Sequence, residues 1–459
     1  MAVVKLVIVA LFGAYILLRA NAKVGVYFLW FSWITHMSWF GGLGWLSANN
    51  LIAGCSVLAV LVRLRSPWVR RLNNRTTWLV IAWMACLLAG AMRAGRLVER
   101  VDELVPCLCI CFITVLIDWR EKDFRTFLLV VAAPTLLQVA RVTLLSGSEV
   151  WYGGVRPDVV GVQLSGLGHQ CAALVPLALG FAMMRRRGSR TLAWFVFGSA
   201  LTGVLISKSR GGALLFLLAV ILTAAVGLTR HGGVQRSSRS GSRQSFGRAW
   251  TRLGGRLGLA LASLVVLAGA LWIVLPPRYF ARYRYGPDAD WAARHSTALR
   301  ATYLRTAFTM WTQRPIFGWG DRAFRRHGED YLSWRVRAPD EIAVHNDYLW
   351  AMANYGLVGL LLVGLLAWSL VRNLSMGEAL HARQEGGRPA TPPLIRALRV
   401  YCLVWLGAAL LGNGLFETAP FYVLCGISVA VRRGLVRSGA RVPGRAPEPV
   451  RKRMLRGIA

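Results

Sequence analysis

The sequence predicts an all-α polytopic membrane protein with about twelve transmembrane helices and one large loop on the outer side. Three observations carry this. The chain is 55% hydrophobic, holds 19 Trp and has a positive mean hydropathy. Its apolar stretches recur at close to membrane-spanning length between charged or Gly/Pro-rich breaks. Its basic residues gather in short runs between those stretches, as expected where Lys and Arg mark the cytoplasmic side.

The apolar segments lie at roughly 2–18, 24–46, 49–63, 77–93, 103–118, 124–145, 168–184, 192–206, 213–228, 257–275, 346–371, 397–412 and 418–431. Lipid offers the backbone no hydrogen bonds, so these segments are helices. Several fall short of the ~20 residues that cross a bilayer, which implies tilt, re-entry or shifted boundaries. Basic runs at 63–75, 185–190 and 230–256, and from Arg432 onward, fix the orientation by parity. The chain then divides into N-terminal helices over 1–275, with an Arg/Ser-rich cytoplasmic loop at 229–256, and an external loop with an interfacial helix over 276–345. C-terminal helices at 346–431 and a basic cytoplasmic tail at 432–459 follow. The side on which the N-terminus lies stays open. Met1 leads into a span with no small-residue cleavage site, so no removable signal is expected.

The net charge of +35 invites a nucleic-acid partner, but its distribution argues against one. The stretch 230–256 has seven Arg and no acid around a Ser/Gly-rich centre, which reads as a topology-fixing loop in contact with anionic lipid. The eight cysteines show no metal-ligand spacing. Cys107, Cys109 and Cys111 alternate, and on a helix neighbours two apart face different ways.

The unusual chemistry collects on the outer face. Residues 276–344 contain twelve Arg, no Lys and seven acids. Guanidinium is permanently charged and matches phosphate oxygens in a two-point fork, so an anionic phosphate is the economical partner. Arg210 in "SKSRGG" (207–212) stands where a span ends, before two glycines that admit a ligand close to the backbone. Arg300 lies on a helix whose apolar residues Leu299, Tyr303, Ala307 and Met310, with Leu304, Phe308 and Trp311, suit a membrane interface; Pro315 and Gly318/Gly320 end it. Arg305 is its rival on the same helix. His345 opens the next span, beside Asn346 and Asp347. The pair Asp288/Asp290 imitates a metal-binding acidic motif, but Arg284 and Arg294 flank it and would repel a divalent cation. Neither metal nor cofactor is expected.

Three elements in order, "SKSRGGALLFLLAV", the unit from Arg300 to "RPIFGWG" and "HNDYLWAMANYGLVGLL", resemble the O-antigen ligase and O-antigen polymerase superfamily across roughly residues 150–430. In "VRPDVVGVQLSGLGHQCAAL" (155–174), His169–Gln170 stands where the family pattern leads one to look for Asn. The resemblance implies a glycosyltransferase C-like fold, a periplasmic location for the loop 276–345 and the active site, and an undecaprenyl-diphosphate-linked glycan as donor. It implies that Arg210 and Arg300 hold the diphosphate and that His345 is the catalytic base. Arg305, Arg156, Tyr348 and Glu417 are the further substrate-contact candidates. The acceptor is either lipid A core sugar, for a ligase, or another repeat unit, for a polymerase. A transporter of the same lipid carrier is the reading from another class. It would call for ionisable groups at mid-membrane and internal repeats, neither of which the sequence displays.

Overall fold

A computed structural model describes residues 2–19, 21–34, 48–63, 71–146, 164–182, 187–228, 291–332, 344–384, 391–412 and 415–433, and among these it is all-helical, with no strand. The apolar segment 257–275, the loop at 229–256, Arg156, Asp288, Asp290 and the tail beyond Arg433 lie outside the described residues.

The helices are α1 (Ala2–Arg19), α2 (Ala22–Ile34), α3 (Ala48–Arg63), α4 (Arg75–Arg93), α5 (Leu97–Leu116), α6 (Glu121–Ser146), α7 (Leu164–Ala182), α8 (Arg187–Ser207), α9 (Arg210–Leu228), α10 (Trp291–Gln313), α11 (Ala323–His327), α12 (Asp347–Gln384), α13 (Thr391–Ala408) and α14 (Ala419–Arg432). Each described apolar segment coincides with a helix, although the helix predicted over 24–46 is described only as far as Ile34. Among the described residues four helices are long and apolar enough to cross a membrane: Arg75–Arg93, Lys122–Leu145, Gly188–Ser207 and Asp347–His381. Five shorter apolar helices accompany them. Large apolar side chains such as Val62, Leu144 and Trp194 point outward from the bundle, as they do where the solvent is lipid.

Two differences from the sequence boundaries bear on function. Helix α5 begins at Leu97 and takes in Glu99, Arg100 and Asp102, which the apolar pattern leaves outside. Helix α12 continues past the apolar pattern to Gln384, but Gly356 sits inside it with non-helical angles, φ 66° and ψ −158°.

One core runs through the bundle, built from α1 to α9 and α12 to α14. A second, smaller apolar cluster caps one end. It joins Tyr303, Ala307 and Met310 of α10 to Ala323 and Phe324 of α11, Val344, and Ala353 of α12. The buried positions 303, 307 and 310 follow helical spacing, so the stripe read from the sequence is the face that α10 buries. Phe308, on the other face, is half exposed.

Candidate active site

The reversal between α8 and α9 is made by "SKSR". Ser207 closes α8, its hydroxyl donating to the Val204 carbonyl at 2.8 Å. Lys208 turns the chain in the left-handed region at φ 47° and is wholly buried. Ser209 caps α9, its Oγ accepting from the Gly212 amide at 3.1 Å. Arg210 is therefore the first residue of α9, half-buried at the positive end of the helix dipole. Without a side chain at Gly211, His169 of α7 packs against the start of α9: a Cβ there would stand 2.7 Å from His169 Nε2 and 3.3 Å from Leu411.

The other two motifs clasp each other. At Gly356 the hydrogen-bond ladder of α12 is interrupted, and the loop after α10 takes the place of the missing turn. Trp319 and Gly320 donate their amides to the carbonyls of Ala353 (3.1 Å) and Asn354 (2.7 Å). The carbonyls of Pro315 and Ile316 accept from the amides of Leu357 (2.7 Å) and Val358 (3.2 Å). In an unbroken helix those two amides would bond to residues 353 and 354 themselves, so the loop is spliced into the break. Such close approach needs glycine. Gly318 and Gly356 both have positive φ, and a Cβ on either would overlap the facing backbone. Trp319 then fastens the loop to α10 by donating from Nε1 to the Met310 carbonyl at 2.7 Å, under the Arg314 guanidinium.

This clasp sets α10 beside the start of α12 and brings Arg300 and His345 together. His345 has φ 53°, a left-handed backbone that a non-glycine residue rarely adopts. Burial lowers its pKa below the ordinary imidazole value, and the nearby Arg300 cation lowers it further. Both residues are half-buried, whereas Arg305 lies on the exposed side of α10. Asn346 caps α12 through Oδ1, which accepts from the amides of Tyr348 (3.1 Å) and Leu349 (3.0 Å). Asp347, buried, donates its amide to the Ala409 carbonyl at 2.7 Å and accepts the Leu415 amide on Oδ2 at 2.9 Å. Ala409 and Leu411, two residues apart, thus touch the His345 and Arg210 regions respectively, so both regions share one end of the bundle.

The remaining candidates fall as follows. Tyr348 donates its hydroxyl to the Leu406 carbonyl at 3.0 Å, which joins α12 to α13. Glu417, in the short 3₁₀ turn Leu415–Glu417, is ion-paired with Arg100. Arg156 lies outside the described residues. Among the described residues no three His, Cys, Asp or Glu side chains gather as a metal site.

Sequence reading missed Arg100 and Asp321. Both are buried, and they lie 3.4 Å apart. The one available signal was "RLVERVDELVP", where cations and acids alternate at the head of an apolar helix.

A family model described as O-antigen ligase matches residues 195–364. The match supports the O-antigen ligase superfamily. The O-antigen ligase segment contains Arg210, Arg300 and His345, together with both halves of the clasp. It supports a function of O-antigen ligase or polymerase type, and with the apolar helices it supports a membrane glycosyltransferase acting on lipid-linked glycan. No curated protein matches the chain.

Proposed function

We propose that the protein is an inverting, metal-independent glycosyltransferase. It moves a glycan from undecaprenyl diphosphate to a sugar hydroxyl of lipid A core at the periplasmic face of the bacterial inner membrane. The observation that carries this reading is the placement of His345 beside Arg300, with burial and that cation both favouring the neutral imidazole. A neutral imidazole accepts a proton, and a guanidinium beside it binds the group that leaves with negative charge.

In the step itself, the acceptor hydroxyl oxygen attacks the anomeric carbon from the face opposite the diphosphate. Its proton passes to His345. The bond from the anomeric carbon to the phosphate oxygen breaks, and the diphosphate departs with the electron pair. Arg300, and Arg210 at the positive end of α9, stabilise the charge that develops on its oxygens. Guanidinium takes the part that a divalent cation plays in many sugar transferases.

The test is an assay of the purified chain with undecaprenyl-diphosphate-linked glycan and lipid A core as acceptor. Transfer to lipid A core is expected. Lengthening of the donor-linked glycan without such transfer would make the enzyme a polymerase, and no reaction of either kind would overturn the reading. Sidedness is tested separately. A cysteine placed at the exposed Thr312 should react with an impermeant thiol reagent in intact spheroplasts, and protection there would put the site on the wrong side of the membrane.

A further inference from the structure

Arg100 is 4% exposed at the head of α5, a depth at which an unpaired guanidinium would be very costly. Its partners come from three separate parts of the chain. Glu103 is one turn along α5, Asp321 follows the spliced loop, and Glu417 lies in the turn before α14. Asp321 is 1% exposed, and its Oδ1 also accepts the hydroxyl of Tyr355 at 3.0 Å, on the residue just before the break in α12. Its amide donates to the Gly90 carbonyl of α4 at 3.2 Å. Arg96 reaches the second carboxylate oxygen at 3.5 Å, and Arg322, another left-handed residue, reaches Glu103 at 2.9 Å. The α4–α5 turn aims these cations. Gly95 stands in the left-handed region, and the Arg96 amide closes back on the Ala91 carbonyl at 2.9 Å.

Two routes lead from Arg100 to the site residues. Through Asp321 it holds the loop that ends α10, the helix of Arg300. Through Glu417 it holds the 415–417 turn, whose Leu415 amide binds the Asp347 carboxylate two residues from His345. We infer that Arg100 is a positioning residue for the proposed transfer: by gripping Asp321 and Glu417 at once, its guanidinium fixes the elements bearing Arg300 and His345 relative to each other. This rests on the function proposed above for what the positioning serves, but not for the coupling itself. A buried cation with carboxylates on three elements behaves as a joint whose parts move together or not at all.

The experiment is amide hydrogen exchange on the full-length chain in lipid nanodiscs, alongside steady-state transfer kinetics. For Arg100→Met, exchange should quicken at both 318–321 and 347–349, and at Leu415, with α7 to α9 unchanged. kcat should fall at least ~10-fold and donor KM should change less than ~2-fold, because small misplacement of reacting groups costs turnover rather than affinity. Arg100→Lys, which keeps the charge with fewer contacts, should recover part of both. Exchange that stays at the wild-type rate in these segments, or rises evenly throughout the bundle, overturns the inference. If Arg100→Met does not fold, Glu417→Gln cuts only one route. Its exchange should quicken at 347–349 and 415 but not at 318–321, and the reverse or no change overturns the inference equally. Failure here is separable from failure of the proposed function, because exchange is read without any substrate, whereas a wild-type chain that transfers no glycan removes the function and leaves the coupling intact.

Discussion

The two ends of the bundle both bury charge, yet they do so differently. Far from the site, on the last turns of α12, Glu378 is held by Arg396 (2.7 Å) and Arg399 (3.2 Å) of α13. Nearby, Asn373 donates to Thr76 (2.8 Å) and accepts from Arg432 (3.1 Å), while Thr76 and Ser369 share a hydrogen bond of 2.6 Å. These bonds run from helix to helix, and none of the residues has a left-handed backbone. At the site end the buried charges reach out to loops and turns. The three non-glycine residues with positive φ among those described, Lys208, Arg322 and His345, are all found there. Buried polarity alone is therefore a poor marker of function. Buried polarity combined with backbone strain and half-exposed cations is a good one.

Substitutions at the two ends should separate turnover from stability. His345→Ala is expected to lower kcat by ~10²–10⁴-fold with donor binding nearly intact, the contribution of a positioned base. Unchanged turnover with weakened donor binding would move His345 out of the chemistry. Arg210→Lys and Arg300→Lys should each lose at least ~30-fold in initial transfer rate, because an ammonium cannot reproduce the two-point grip on a diphosphate. Wild-type rates in both would mean that bulk charge suffices.

At the far end, Arg396→Met leaves the Glu378 carboxylate with one partner fewer and should cost about 3 kcal/mol of stability, while kcat of the folded fraction stays within ~2-fold. Denaturation in detergent and the transfer assay on the same preparation check both halves, and a large fall in kcat would dissolve the distinction between the ends.

The smallest effect concerns pH. Protonated His345 has no lone pair to accept the hydroxyl proton, and burial and Arg300 both disfavour that form. The acid limb of kcat/KM should thus lie below about pH 6.5, the ordinary imidazole value, and a limb above it would contradict the environment of His345. Arg325→Gln, an exposed change on α11, should alter the rate less than ~2-fold.

Much of the helical layout was legible because lipid imposes a single rule, long apolar runs between charged breaks, and α4, α6 and α8 obey it. The stripe on α10 was legible too, since Tyr303, Ala307 and Met310 recur at helical spacing whatever they pack against. Arg210, Arg300 and His345 stood out by chemistry and motif order, and the structure brings two of them together. Two features were hidden for physical reasons. After Tyr355 the run "GLVGLLLVGLL" is apolar with glycines at several positions, so nothing local singles out a break at Gly356, whose missing partners lie some forty residues earlier, in 315–320. Arg100, Asp321 and Glu417 lie 221 and 96 residues apart along the chain. Each alone looks like a surface charge, and only their convergence shows Arg100 and Asp321 to be buried and Glu417 half-buried.

The splice between 315–320 and the interrupted α12 also bears on how the chain is made. Four main-chain groups at the break have no partner within α12, and hydrocarbon supplies none, at a cost of several kcal/mol for each group left bare. The nine residues before Gly356 are too few to settle in a bilayer as an independent span. Because 315–320 precedes α12 in the chain, it leaves the ribosome first and is at hand as a template when α12 follows. Biogenesis of this segment is thus a matching of two strips of backbone, and a one-residue insertion or deletion in either strip would throw every pairing out of step, however well hydropathy was preserved.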